Sequence, residues 1–138
     1  MVYKSLKTIA IIESILFVGL GFLFLFFARK IANDLGVHFT SSNGLTDYKA
    51  IYGGLHIGLG FFMVLQLLRR NYHIIILIMF TATSGLAFAR LLSIIIDQAI
   101  TAIMLVLLGI EILGMALNGI LLLIEPAPPE RAFNPYHI

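Results

Sequence analysis

The sequence contains no cysteine and no tryptophan, and only 12% of its 138 residues are charged. The absence of cysteine excludes disulfides, a thiolate nucleophile and thiolate ligands for a metal. The scarcity of charge excludes an ordinary soluble domain, in which about 25% of residues are charged. Because there is too little polar surface to cover a globule of this size, most of the surface must face lipid.

Apolar sequence is what the chain has in abundance: 60% of the residues are hydrophobic, and the mean hydropathy is +1.03. Four long apolar runs cover residues 6–28, 47–68, 74–96 and 101–124. Each run exceeds the ~20 residues that an α-helix needs to cross a bilayer core about 30 Å thick. We therefore predict an all-α membrane protein. Four transmembrane helices form an up-down antiparallel bundle over residues 1–125, and a Pro-rich cytoplasmic tail follows at 126–138.

The first connection is long enough to contain structure of its own. Residues 28–36 are expected to form a short helix in the outer loop, ending at Gly36 as its C′ residue. Thr46 or Asp47 is expected to cap the second membrane helix. The other two connections are only a few residues long, so consecutive spans are antiparallel neighbours.

The basic residues indicate the orientation of the bundle. Four spans place both termini on one side, with five basic residues there and three on the other: Lys4, Lys7, Arg69, Arg70 and Arg131 against Arg29, Lys30 and Lys49. The positive-inside rule then predicts a multi-pass membrane protein with both termini cytoplasmic. Since membrane topology accounts for the net charge of +2, we predict no nucleic-acid partner.

One arginine, Arg90, lies inside the third span, where it costs on the order of 2.5–3.5 kcal/mol by insertion scales. The carboxylate of Glu111 in the fourth span has a similar estimated depth. Side chains lean toward the N-terminus of their helix, so these two converge on antiparallel neighbours. We predict an Arg90–Glu111 pair. Such a pair can have a functional role, or it can be purely structural and fix the register of the two helices. The alternative is that Arg90 reaches outward to Asp97 or Asp47 at the membrane rim.

Two further ionisable residues, His56 and Glu13, fall in the same band of depth. Tyr52 and His56 are four residues apart and share a helix face; we expect His56 to be a packed histidine rather than a ligand. Glu13 has two interpretations, a half-buried carboxyl bonded to a Tyr or Asn and a proton-titrating carboxylate facing a cavity. In the fourth span, Glu111 and Asn118 lie on one stripe. The predicted polar cluster is Arg90, Glu111, His56, Tyr52 and Glu13.

Glycine is concentrated in the second span, at Gly53, Gly54, Gly58 and Gly60. Gly54 and Gly58 form a G-x-x-x-G pattern, which lets the backbone of a neighbouring helix approach closely. The neighbour can belong to the bundle or to another protein. We predict helix packing at these glycines.

Several short motifs resemble a family of small four-helix bacterial inner-membrane proteins known only as a domain of unknown function. The matching residues are Leu35-Gly36, Lys49-Ala50-Ile51-Tyr52-Gly53, Arg90-x-x-Ser93-x-x-x-Asp97 and Glu111. The departures are Lys49 where the family usually has Arg, Ala89 for a Gly, and Gln98 for the Gly after Asp97. The resemblance implies a fold, a topology and a location in the cell inner (plasma) membrane. It implies no established activity, substrate or catalytic residue.

Two classes of function are compatible with these features. The first is a non-enzymatic accessory or assembly subunit that associates with itself or with a larger membrane complex. The second is a proton-coupled carrier or binding pocket for a small apolar or cationic molecule. It would use Glu13 and Glu111 as titrating sites and Arg90 as a fixed charge. Tyr52 and His56 would form part of the pocket wall. No metal-ligand spacing, nucleophile–base pair or nucleotide loop is readable, so an enzyme is least favoured and neither a metal nor a cofactor is predicted.

Overall fold

The computed structural model describes residues 2–98 and 100–124, and the regular structure in them is entirely helical. The helices are α1 (Val2–Asp34), α2 (Ser42–Tyr48), α3 (Leu55–Leu68), α4 (Tyr72–Asp97) and α5 (Ala102–Ile124), with a π-helical segment (Lys49–Gly54) between α2 and α3. They form four spans long and apolar enough to cross a membrane: Ser5–Asp34, Ser42–Leu68, Tyr72–Asp97 and Ala102–Ile124. The predicted four-span, all-α membrane protein is confirmed. The predicted tail at 126–138 lies outside the described residues.

The first helix continues past the membrane run into the residues expected to form a separate outer-loop helix. Phe27 has non-helical angles, φ −113° and ψ 19°, which kink α1 there. The helix then ends at a Schellman motif in which Gly36 has φ +79°. The Val37 N–H donates to Ala32 O at 2.8 Å, and the Gly36 N–H donates to Asn33 O at 3.0 Å. The short helix is therefore a bent extension of α1, and Gly36 ends it as predicted.

The start of the second span differs from the prediction. Its N-cap is Ser41, whose extended backbone lets the side-chain oxygen accept from the Gly44 N–H at 3.2 Å. Thr46 already lies inside α2, and its hydroxyl donates to Ser42 O at 3.0 Å. The expectation that Thr46 or Asp47 caps this helix was wrong, because the helix begins at Ser42 and Ser41 accepts from one of its free N–H groups.

The four spans associate as two antiparallel hairpins. In the first hairpin, α1 packs along the whole second span, and in the second hairpin α4 packs along α5. The hairpins meet through α4, which contacts both α1 and α3. The shared apolar core lies in the half of the bundle nearest the termini and contains Leu6, Ala10, Met63, Tyr72, Ile75, Ile76, Met79 and Leu121.

Glycine brings the backbones of the first hairpin together. A Cβ atom at Gly60 would lie 2.9 Å from the Val18 backbone N, and one at Gly53 would lie 3.1 Å from the Leu25 N. Both contacts are tighter than a side chain tolerates without a shift of its neighbour. Gly53 and Gly60 are seven residues apart, so they lie on the same face of the span, toward α1.

The other two glycines of the second span, Gly54 and Gly58, do not pack on another helix among residues 2–98 and 100–124. Nothing lies within 4 Å of a Cβ atom placed at Gly54 or Gly58. The G-x-x-x-G pattern therefore faces away from α1. Within the described residues, the predicted helix packing is made by Gly53 and Gly60 and not by Gly54 and Gly58.

Candidate functional site

The second hairpin contains the predicted contact between Arg90 and Glu111. Arg90 Nε donates to both carboxylate oxygens, at 2.9 and 3.1 Å, and Nη2 donates to Oε1 at 2.7 Å. The two side chains are 26% and 10% exposed, respectively. This side-on, charge-assisted arrangement fixes both groups. Arg90 therefore pairs with Glu111 and not, as in the alternative, with Asp97 or Asp47 at the rim.

The ion pair leaves one end of the guanidinium free of Glu111, because its three hydrogen bonds use only Nε and Nη2. A half-open cavity of about 280 Å³ lies beside Arg90. It is lined by Leu86, Ala89, Arg90, Ser93, Ile94, Asp97 and Met104. We call this cavity the α4–α5 groove. It combines a hydroxyl and a carboxylate with apolar walls, next to a guanidinium whose charge Glu111 balances.

Glu13 forms a second polar contact, between the two hairpins. Asn118 on α5 donates from Nδ2 to Glu13 Oε1 at 2.8 Å and to the Gly114 carbonyl at 2.9 Å. Glu13 is 8% exposed and Asn118 is 0% exposed. The remaining oxygens, Glu13 Oε2 and Asn118 Oδ1, are buried without a hydrogen-bond partner in the described part of the chain. The structure therefore contains the Asn partner that one interpretation of Glu13 expected.

Tyr52 and His56 belong to the first hairpin and pack among aromatic rings. The Phe24 ring centroid lies 5.4 Å from that of Tyr52 and 5.8 Å from that of His56. His56 also stacks on Phe17 at 5.0 Å. Tyr52 lies 4.5 Å from Tyr48. The aromatic cluster, as we define it, consists of Phe17, Phe24, Phe39, Tyr48, Tyr52 and His56.

The predicted single polar cluster is thus divided into three groups: the Arg90–Glu111 pair, the Glu13–Asn118 contact and the aromatic cluster. The reason is that α5 packs on α4, whereas the second span packs on α1.

The two residues predicted at the rim have different surroundings. Asp47 is exposed on α2, and Asp97 is exposed at the end of α4, where it lines the α4–α5 groove. Among the described residues, no three His, Asp or Glu side chains are grouped so that they could hold a metal ion. The α4–α5 groove and the Glu13–Asn118 contact are therefore the two candidate sites.

Sequence reasoning did not assign Asn118 to Glu13, although a signal was present. Asn118 lies seven residues from Glu111 on the same stripe of α5, and both are buried in the structure. At ~1.5 Å per residue the two are separated by about 10 Å along the helix. Two buried polar residues on one stripe indicate two polar contacts at different depths rather than one.

The fold and these contacts define a class, an all-α protein of four membrane spans with polar side chains buried between its helices. Within that class, the chain belongs to the family described as "Domain of unknown function (DUF4345)", which matches residues 5–122. The match begins at the start of the first span and ends two residues before α5 does. No curated protein and no solved structure matches the chain. The family assigns no activity, so the functional roles of the site residues stay predictions.

Proposed function

We propose that the protein is a non-enzymatic accessory or assembly subunit of a cell inner membrane that binds a transmembrane helix of a second copy or of a larger complex. The docking face is the side of the second span around Gly54 and Gly58. The observation that carries the proposal is the open space at both glycines, where no atom of a neighbouring element in the described part of the chain lies within 4 Å of a Cβ atom. Both termini are placed in the cytoplasm, because basic residues are more numerous on their side.

Close backbone approach supports association in lipid. Lipid tails are as apolar as leucine, so membrane helices associate through tight packing at small residues rather than through the hydrophobic effect. The chain already uses this contact internally, where Gly53 and Gly60 meet α1. Gly54 and Gly58 offer the same chemistry on the opposite side, next to the exposed side chains of Ile51 and Leu55, 57% and 56% exposed.

The proposal is tested by native mass spectrometry of the full chain extracted in mild detergent. We expect a dimer, or a stoichiometric complex with a second membrane protein, that is lost in the double variant Gly54→Leu/Gly58→Leu. The matched control is Gly19→Leu, because nothing in the described residues lies within 4 Å of a Cβ atom placed at Gly19 on α1. A lone monomer from the unsubstituted protein, or a complex that persists in the double variant, would rule out this face.

The α4–α5 groove favours a second candidate function, a binding pocket or proton-coupled carrier for a small apolar or cationic molecule. Glu111 balances the charge of Arg90 at 2.7 Å, so among the described residues that line the groove the carboxylate of Asp97 has no matching cation. Apolar contact with Leu86 and Met104 and attraction to Asp97 together suit a hydrophobic cation. Glu111 is proposed as one titrating site of this carrier. Glu13, which lies deeper in the bundle, is proposed as the second.

A fluorescent hydrophobic cation, added to the protein in lipid nanodiscs over a range of pH, tests this second candidate. We expect saturable binding that depends on pH and that weakens at least tenfold in Glu111→Gln. In Glu13→Gln the dependence on pH should be reduced. The control is Asp34→Asn, which removes an exposed carboxylate outside the groove. Binding that both glutamate variants leave unchanged would exclude a role for these carboxylates.

A further inference from the structure

We infer that Glu13 and Asn118 form a binding site for one monovalent cation, a proton or Na⁺, between α1 and α5. The inference deepens the second proposed function, because it assigns the coupling ion of a carrier to particular atoms. Occupancy of this site and binding in the α4–α5 groove are separate measurements. If the groove binds no ligand, the cation site is not contradicted. If Glu13 and Asn118 bind no cation, ligand binding in the groove is not contradicted either.

The site is defined by two acceptor oxygens that lack a donor. Both neighbours of Asn118 Nδ2, the Glu13 carboxyl and the Gly114 carbonyl, are acceptors, so the amide nitrogen must face them and its two hydrogens are both used. This leaves Asn118 Oδ1 and Glu13 Oε2, each buried and without a partner in the part of the chain that is described. Leaving a buried polar group without a hydrogen-bond partner is costly. Both oxygens belong to the groups joined by the 2.8 Å hydrogen bond, and the inference is that one ligand serves them together.

A single positive charge satisfies both oxygens. A proton on Glu13 Oε2 would let the carboxyl donate to Asn118 Oδ1, which closes an acid–amide ring with the existing hydrogen bond. A sodium ion would be held by the same two oxygens, since hard cations take oxygen ligands. Either ion also neutralises a carboxylate that is 8% exposed in a membrane span, where an uncompensated charge is costly.

The ionisable groups on the neighbouring helices do not replace this cation. On α5 and α4, Glu111 and Arg90 are engaged with each other. His56 of the second span stacks on the Phe17 ring. Tyr72 of α4 is buried in the apolar core. The partner that the structure gives the Glu13 carboxyl is the neutral amide of Asn118.

The test measures the thermal unfolding temperature, Tm, of the full chain in nanodiscs as a function of pH, in choline chloride and in NaCl. A proton held by the folded state and released on unfolding makes stability fall as pH rises. We expect Tm in choline chloride to fall with rising pH for the unsubstituted protein. Glu13→Gln should have a flat profile, because its amide can donate permanently to Asn118 Oδ1. If Na⁺ also binds, Tm at high pH rises with NaCl concentration but not with choline chloride.

Infrared spectroscopy of the unsubstituted protein supplies a readout that needs no variant. A buried neutral carboxyl gives a C=O stretch that is separate from the carboxylate bands. This C=O stretch should disappear at high pH and should be absent from Glu13→Gln. The control Asp34→Asn should keep both the band and the Tm profile. The inference is overturned if the unsubstituted protein and Glu13→Gln have the same pH profile and Na⁺ has no effect. That result would mean that a neutral water bridges the two oxygens.

Discussion

The two hairpins hold their helices together by different means. The first hairpin brings backbones into contact at Gly53 and Gly60, where a Cβ atom would come within 3.1 Å of α1 backbone atoms. The second hairpin is joined by a charged pair, Arg90 and Glu111, at 2.7 Å. A membrane supplies little hydrophobic driving force between helices, so each hairpin needs a specific attraction, and this chain uses both kinds. Between the hairpins, Glu13 meets the neutral Asn118.

The largest expected effect is on the second hairpin. Glu111→Gln removes the charge that balances Arg90, and breaking a buried ion pair costs about 3–5 kcal/mol. We expect a loss near 3 kcal/mol, because the Arg90 side chain is 26% exposed and can be rehydrated in part. The free energy of unfolding, measured by denaturant titration in mixed micelles, checks this value.

The matched control for that prediction removes both charges. Arg90→Met/Glu111→Leu leaves no charge unpaired, and replacing a buried pair with apolar residues is often neutral. The double variant should therefore be more stable than Glu111→Gln alone. If the two variants lose the same stability, the second hairpin is held by shape and not by charge, and the contrast with the first hairpin disappears.

The next effect concerns the first hairpin. Gly60→Ala places a Cβ atom 2.9 Å from the Val18 backbone, which must move, and such overpacking costs typically about 1–3 kcal/mol. The control is Gly19→Ala, on α1 of the same hairpin and outside the proposed docking face, where a Cβ atom meets nothing within 4 Å. It should be neutral or gain up to about 1 kcal/mol from helix propensity. Equal effects of the two alanines on the unfolding free energy would contradict close backbone packing as the attraction in this hairpin.

Much of the architecture follows from the sequence, because bilayer thickness sets the length of an apolar helix and a lone cation requires a partner. The four spans and the contact between Arg90 and Glu111 were predictable for these reasons. The aromatic surroundings of His56 and Tyr52 were not. Estimated depth placed His56 close to the level of Arg90, but depth does not specify which helices are neighbours.

The glycine faces show why the neighbours were hard to predict. In a soluble protein, polar residues mark the outward face of a helix, but lipid and protein interior are both apolar, so that signal is weak in a span. The G-x-x-x-G at Gly54 and Gly58 was the more conspicuous pattern. The glycines that pack on α1 are Gly53 and Gly60, which are seven residues apart. The serine cap at Ser41 was missed because several capping residues occur within one turn.

The smallest expected effect lies between the hairpins, and it sets an upper limit on what a neutral contact contributes here. In a double-mutant cycle, Glu13→Ala and Asn118→Ala measure the coupling across the 2.8 Å hydrogen bond. Interhelical hydrogen bonds in a membrane protein average about 0.6 kcal/mol and reach about 1.7 kcal/mol. We expect a coupling in that range, measured as unfolding free energy in mixed micelles. A coupling as large as the loss in Glu111→Gln would mean that Glu13 is held as a full charge. The distinction between a charged contact within one hairpin and a neutral contact between hairpins would then be lost.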